Sequence, residues 1–357
     1  MDNLICEEEL CEEELCKVEK FKHHNKCVFH CDKIKKDENK RVQQIWIEVQ
    51  KQLKYHPNMP SNSILPGSIT PINLTSTLCI SNDCRILDDI AFSIIYNNKT
   101  INITIKNTEI NGNLSITSNQ KNRDSKLIPK VSVKLSHVTK INNFWLSQEL
   151  DIEEIIIKNT EVNKVKFELN TKIDNISINS KSKIDEFNLT QCKILNKFYI
   201  ADSKIYNLVI ENATFESSVD LCNNLHIDKS NFRNATFEDI VTFNNVTFKN
   251  DVKFENTVFE KLVVFKKTKF KQNINLEDVI FKDEVNFLGA DIRNVANRET
   301  ARIIKYSFEK IGNIIESNHY YSLELKKEKE NLKFFSKNIL RWFEFKLHGW
   351  SSNHSTN

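Results

Sequence analysis

The sequence predicts an all-β solenoid, one coil repeated and stacked on itself through the middle of the chain, and three observations predict it. From Leu135 to Phe287 an aliphatic residue or phenylalanine recurs every eleven residues with two slips: Leu135, Leu146, Ile157, Phe167, Ile178, Leu189, Ile200, Ile210, Leu221, Phe232, Phe243, Phe254, Phe265, Leu276, Phe287. From Phe232 a second series interleaves, so that large apolar residues stand at 232, 237, 243, 248, 254, 259, 265, 270, 276, 281, 287 and 292, in alternating steps of five and six. Two residues before each, after the first, stands a small or branched residue: Ala235, Val241, Val246, Val252, Thr257, Val263, Thr268, Ile274, Val279, Val285, Ala290. A stacked solenoid keeps such a register because each coil must set the same side chain over the one below.

Each element follows from that spacing. A pair at i−2 and i turns both side chains inward from one extended segment. The two polar residues after it turn a corner, and four faces of five, six, five and six residues close a square coil. Five glycines in 357 residues are too few to turn so many corners. Asn and Asp, which tolerate the left-handed conformation, must do it instead.

The run "NATFEDIVTFNNVTFKNDVKFENTVFEKLVVF" resembles the pentapeptide-repeat family, in a variant with alternating five- and six-residue spacing. That resemblance implies a right-handed quadrilateral β-helix with a dry interior. The strict pattern spans 232–292. Upstream it relaxes to pairs such as Ile176/Ile178, Phe187/Leu189, Phe198/Ile200 and Leu208/Ile210, which keep the register and lose the small residue, so wider and less regular coils are expected there. The β-helix is placed over 100–292, as about eight or nine coils.

The flanks read differently. Residues 1–56 form an N-terminal module that opens with the duplication "CEEELCEEELC". In it Val42, Ile45, Trp46, Val49 and Leu53 make one face of an amphipathic helix. Residues 57–99 are a linker and the entry to the solenoid, with Pro57, Pro60, Pro66 and Pro71. The stretch 118–126 is expected to be a loop extruded from one coil. Beyond Ile292 the period becomes 3.6: Ile303, Ile304, Phe308, Ile311, Ile315, Tyr320 and Leu323 line one face of a long helix within 293–336. Such a helix can cap the solenoid, whose open edge otherwise recruits other chains. A basic, aromatic tail fills 337–357.

"RETARIIKYSFEKIGNIIESNHYYSLELKK" also resembles the segment after the repeats in a group of bacterial pentapeptide-repeat membrane proteins. In those, a basic stretch with an "SSNHS"-like motif leads into transmembrane helices. Here "HGWSSNHSTN" reaches Asn357, so the expectation divides between a sequence cut before the membrane, a truncated paralogue and a soluble relative.

Candidate chemistry is sparse. Cys16, His23, His24, Cys27, His30 and Cys31 form the metal candidate, with Cys16, Cys27, His30 and Cys31 as the set that tetrahedral zinc would take. The competing reading is a short helical hairpin with buried thiols and solvated histidines. Nine cysteines, an odd count without framework spacing, fit reduced thiols, and the N-terminus lacks a secretory signal pattern, so a cytoplasmic location is expected. Cys192 and Cys222 fall on or beside core registers, and His226 between Leu225 and Ile227 is expected to face outward. No catalytic or cofactor-binding residue is assigned; a polysaccharide lyase or hydrolase stays as the remote option. Residues 231–292 carry ten acids and nine bases, far from the field a DNA mimic needs, so no nucleic-acid partner is expected.

In the segment 333–350, Lys333, Lys337 and Arg341 repeat every four residues against Phe335, Ile339, Trp342, Phe343 and Leu347. That pattern suits an anionic membrane surface, the flank of a transmembrane helix, or a helix packed on the cap. The functional expectation is a non-catalytic scaffold for protein partners, peripheral to the inner membrane on its cytoplasmic side. Its alternative is the soluble domain of a membrane transport or channel-like protein.

Overall fold

In the computed structural model the described residues are 128–331 without a break, then 112–118, 100–110, 89–94, 84–86, 78–80, 72–74, 14–15, 9–10 and Leu347. They divide into two units, Met1–Ile205 and Tyr206–Asn357.

In the first unit the strands from Ile72 onward are parallel and stack in two ladders. One runs Ile72–Leu74, Ile90–Ile94, Leu114–Ser118, Ile141–Leu146, Glu161–Phe167 and Lys183–Asn188. The other runs through Ile101–Ile110, Lys130–Thr139, Asp151–Lys158, Lys172–Asn179 and Lys193–Ala201. The pairings Ile157↔Ile178 and Ile178↔Ile200 hold every second member of the eleven-residue series in one column. The looser spacing here has a visible result. Register shifts occur between Ile152 and Glu154 and between Ile173 and Asn175, and strands of up to ten residues replace short ones.

Parallel stacking begins at Ile72, well before residue 100, because "INL", "LCI", "CRI" and "IAFSI" already supply short extended apolar segments. The only described part of the N-terminal module is a pair of antiparallel strands, Glu9–Leu10 and Glu14–Leu15, so this piece of the duplication is extended where a helical module was expected. The predicted helix over 42–53 and the predicted loop after Ser118 lie outside the described residues.

In the second unit the strands shrink to the size the strict repeat dictates. Thr236–Phe237, Val258–Phe259 and Ile280–Phe281 pair in parallel, as do Val241–Thr242, Val263–Val264 and Val285–Asn286. Rings therefore stack one coil apart: Phe237 on Phe259 at 5.0 Å, Phe232 on Phe254 at 4.7 Å, Phe243 on Phe265 at 4.8 Å. Every member of the eleven-residue series is buried.

The corners show why so few glycines suffice. Asn212, Asn223, Asn234, Asn245, Asn256, Lys267 and Asp278 follow one another at eleven-residue steps, and each has a positive φ. Gly289, with φ +74°, continues the series. At Asn234, Asn256 and Lys267 this residue is third in a turn closed by the next amide, as in Ala235 N–H to Phe232 C=O at 3.2 Å. That is where a type II turn requires φ > 0. The residue after each such corner must be small, and where it is a threonine its hydroxyl is satisfied. Thr257 Oγ1 donates to the Phe232 carbonyl at 2.7 Å, and Thr268 Oγ1 donates to that of Phe243.

The chain leaves the last coil through Asp291–Val295, paired with Lys269–Asn275, and enters two helices, α1 (Arg298–Lys310) and α2 (Ile314–Asn331). The 3.6-residue pattern reads as one long helix; the structure breaks it at Gly312. There φ is +73°, and Gly312 N–H and Asn313 N–H return to the carbonyls of Glu309 and Phe308. This is a glycine helix terminus of the Schellman type. Of the predicted face, Ile304, Phe308 and Tyr320 are buried, while Ile311 and Ile315 are exposed.

Two substitutions test this packing. Phe254→Ala should lower stability by about 3–5 kcal/mol, and Phe254→Asp should destroy the coil by burying an uncompensated charge. A Phe254→Asp protein melting at the parent temperature would refute the register. Lys267→Gly should raise stability by about 0.5–1 kcal/mol, because a side chain is strained at its positive φ. An unchanged or lower denaturant midpoint would count against that corner geometry.

Candidate interaction surface

A coil whose interior is filled by rings leaves only its outside for chemistry. Outward positions alternate with inward ones along each face, so the outer surface consists of columns of residues one coil apart. Charges along these columns are matched across coils: Lys282 Nζ to Glu260 Oε1 at 2.7 Å, Lys183 Nζ to Glu161 Oε1 at 2.7 Å, Lys140 Nζ to Glu109 Oε1 at 2.8 Å, Lys164 Nζ to Glu186 Oε2 at 3.4 Å. Each such exposed pair contributes below about 1 kcal/mol, yet together they oppose a slip of one coil against the next.

The cap is denser. Asn297 is the N-cap of α1, its Oδ1 accepting from Thr300 N–H at 2.9 Å and from Thr300 Oγ1 at 2.8 Å. The buried Thr300 Oγ1 in turn accepts from Leu276 N–H at 2.9 Å, and Glu299 Oε1 accepts from Asp278 N–H at 3.2 Å. Helix α1 thus takes over backbone donors that a further coil would have used, and it lays Ala301, Ile304 and Phe308 inward.

Helix α2 is held to α1 by one ring stack, Phe308 on Tyr320 at 5.5 Å, and by a charge cluster. Glu324, only 5% exposed, receives Lys305 Nζ at 2.9 Å, Arg302 Nε at 3.1 Å and Arg298 Nε at 3.4 Å. Arg298 Nη1 also reaches Glu328 at 2.8 Å. Burial works to raise the Glu324 pKa, but the hydrogen bonds and charges of Lys305 and Arg302 outweigh it and hold the carboxyl below its ordinary range. Burial pushes the Tyr320 hydroxyl upward, with Glu316 and Asp291 adding to it. Around the α1–α2 turn, Tyr306, Ile311, Ile314 and Ile315 are exposed. A shallow cleft lined by Glu284, Val285, Phe287, Phe308 and Ile311 lies beside them.

The residues singled out in the sequence are placed as follows. Cys16, Cys27, His30 and Cys31, with any zinc they hold, lie outside the described residues, as does the 333–350 segment apart from the exposed Leu347. Among the described residues no group of three or more His, Cys, Asp and Glu side chains could hold a metal ion. Cys192 is buried, and burial pushes its thiol up to about 12. His226 faces outward between the buried Leu225 and Ile227. In the first unit Asp151, Glu153 and Asp174 gather, and the Asp174 pKa is raised, chiefly by burial and then by Asp151. The Glu324 cluster escaped the sequence reading. Its signal is there in Arg298, Arg302 and Lys305 at helical spacing and Glu324/Glu328 four apart, but choosing which acid meets which base requires the turn at Gly312.

Because the folded-state pKa of Glu324 is depressed, its contribution to stability is present above the ordinary carboxylate pKa and is lost as pH falls through the folded value. Glu324→Gln should cost about 1–3 kcal/mol at neutral pH, and it should flatten the acid limb of the stability profile. Parallel pH–stability curves for the two proteins would show that the cluster is not linked to folding.

Comparison with known proteins bears on the second unit. Residues 226–268 and 243–291 match the family model described as pentapeptide repeats (9 copies). No curated protein and no solved structure matches the chain.

Proposed function

We propose that this chain, whose residues 226–291 are a run of pentapeptide repeats, is a non-catalytic scaffold that holds protein partners on its outer faces at the cytoplasmic side of a membrane. The observation that carries the reading is the interior. Among the described residues of the strict repeats, stacked rings fill it, and its buried threonine hydroxyls at 257 and 268 are spent on main-chain carbonyls, which leaves the outer faces of those coils as the surface for binding. Stacked coils present outward side chains at regular spacing, which is what repeat proteins use to bind extended surfaces.

The membrane side of the proposal rests on the resemblance of the segment beginning at Arg298 to the post-repeat segment of membrane proteins, and on the basic, aromatic pattern of 333–350. Among the described residues no helix is long and apolar enough to cross a bilayer. The same resemblance supports the second reading, the soluble domain of a membrane transport or channel-like protein.

Vesicle co-sedimentation tests the location. Lys333, Lys337 and Arg341 should each contribute on the order of 1 kcal/mol toward anionic lipid, giving binding that weakens with salt. Deleting 333–357 should abolish it. Full-length protein that stays in the supernatant with anionic vesicles at low salt removes the membrane from the proposal.

A further inference from the structure

The last coil is only half covered. Helix α1 lies over the columns that end in Leu276 and Phe287, which are buried. On the remaining faces the protection fails. Thr257, Phe259 and Val263 are fully buried, whereas Val279, Phe281 and Val285, their equivalents one coil later, are half-buried. The ring of Phe281 rests on Phe259 at 5.2 Å and carries no ring above it among the described residues. The strand Ile280–Phe281 pairs with Val258–Phe259 and the strand Val285–Asn286 with Val263–Val264, each on one side only among the described residues. In this face Ile280 N–H and Lys282 N–H donate back to Thr257 and Phe259, which turns the intervening Phe281 backbone toward the open side. An open parallel edge with its stacking column unfinished is a template for one more strand.

Charge on the rim selects what that strand is. Glu277 and Asp278 precede the open edge, and Asp283 and Glu284 follow its first strand. Glu284 is paired with Lys310 and Lys282 with Glu260. Glu277, Asp278 and Asp283, all exposed, have no cation at ion-pair distance among the described residues. Carboxylates thus flank both ends of the Val279–Phe281 segment with no ion pair to Glu277, Asp278 or Asp283 among the described residues.

We propose that the open edge from Val279 to Asn286 is a docking site for an extended, basic segment of a partner protein, which adds as a further rung. The inference rests on the scaffold reading and names where and what that scaffold binds. The incoming strand meets the Phe281 backbone with its own amides, sets an aromatic side chain over the Phe281 ring, and places lysine or arginine against Glu277, Asp278 and Asp283. Backbone pairing supplies the geometry, and the carboxylates supply orientation and speed of encounter.

A fluorescent peptide with the sequence of residues 257–268, TVFEKLVVFKKT, is a suitable probe: it has the rhythm of the preceding rung, and three lysines against one glutamate. Full-length protein should bind it saturably in a polarisation assay. The triple variant Glu277→Lys, Asp278→Lys, Asp283→Lys, checked for an unchanged Tm, should bind at least about tenfold more weakly. The same peptide with proline in place of Val258 keeps its charge and should not bind, because proline lacks the amide that pairs with the edge. Equal binding of the proline peptide, or an indifferent triple variant, overturns the proposal. Binding that appears only after residues 332–357 are deleted assigns the edge to the chain's own tail, and a concentration-dependent dimer dissolved by the triple variant assigns it to a second copy. Both results overturn the partner segment. None of these results depends on vesicle binding, so failure here leaves the membrane-side scaffold to its own test.

Discussion

In the column Phe237, Phe259, Phe281 each ring lies about 5 Å from the next, the distance at which neighbouring parallel strands pair their amides and carbonyls. Side-chain stacking and backbone pairing therefore demand the same coil-to-coil spacing, and neither has to yield to the other. Each stacked pair adds about 0.5–1.5 kcal/mol beyond burial. The larger consequence is register: a slip of one residue would turn a whole inward column toward solvent. Everything else in the molecule serves to let the chain return to the same place every twenty-two residues or so.

Returning requires corners, and the corners constrain the sequence as tightly as the core does. A residue with positive φ recurs two positions after every second member of the inward series, at Asn212, Asn234, Asn256 and Asp278. Asparagine and aspartate tolerate that conformation better than other residues with a side chain. The next residue faces the inside of the bend, where Ala213 and Ala235 fit without a polar group and Thr257 fits because its hydroxyl finds a carbonyl. The first unit does the same with Asn159, Asn170 and Asp202 at the corners and Thr160, Thr171 and Ser203 after them. Conformation and packing are thus solved by adjacent residues, and from Asn212 to Asp278 these corners fall eleven apart.

A stack that repeats must also stop. Helix α1 ends it by substituting side-chain acceptors, Thr300 Oγ1 and Glu299 Oε1, for the carbonyls of an absent coil. A helix is too narrow to cover a four-sided coil, and that leaves Val279, Phe281 and Val285 half-buried. Helix α2 does not close the gap. It packs on α1 instead, around a carboxylate whose burial is tolerable because three cations converge on it. The cap therefore combines one face sealed by apolar and hydrogen-bonded contacts with another where coil chemistry remains open to solvent.

The sequence alone determined the inward columns, the strand-and-corner rhythm and the cap, because a fixed spacing of large apolar residues permits one way of burying them all. It also placed Cys192 inside and His226 outside, since period-two alternation decides a side chain's face. Four things were decided only in three dimensions. The stacking starts at Ile72, where segments of three to five residues are too short to show a period. The helix breaks at Gly312, because a helical pattern on both sides conceals one left-handed residue between them. The meeting of Arg298, Arg302, Lys305 and Glu324, and the exposure of the last coil's edge, depend on how far a helix reaches across a coil. That reach is a matter of relative size and direction, which spacing along a chain does not encode.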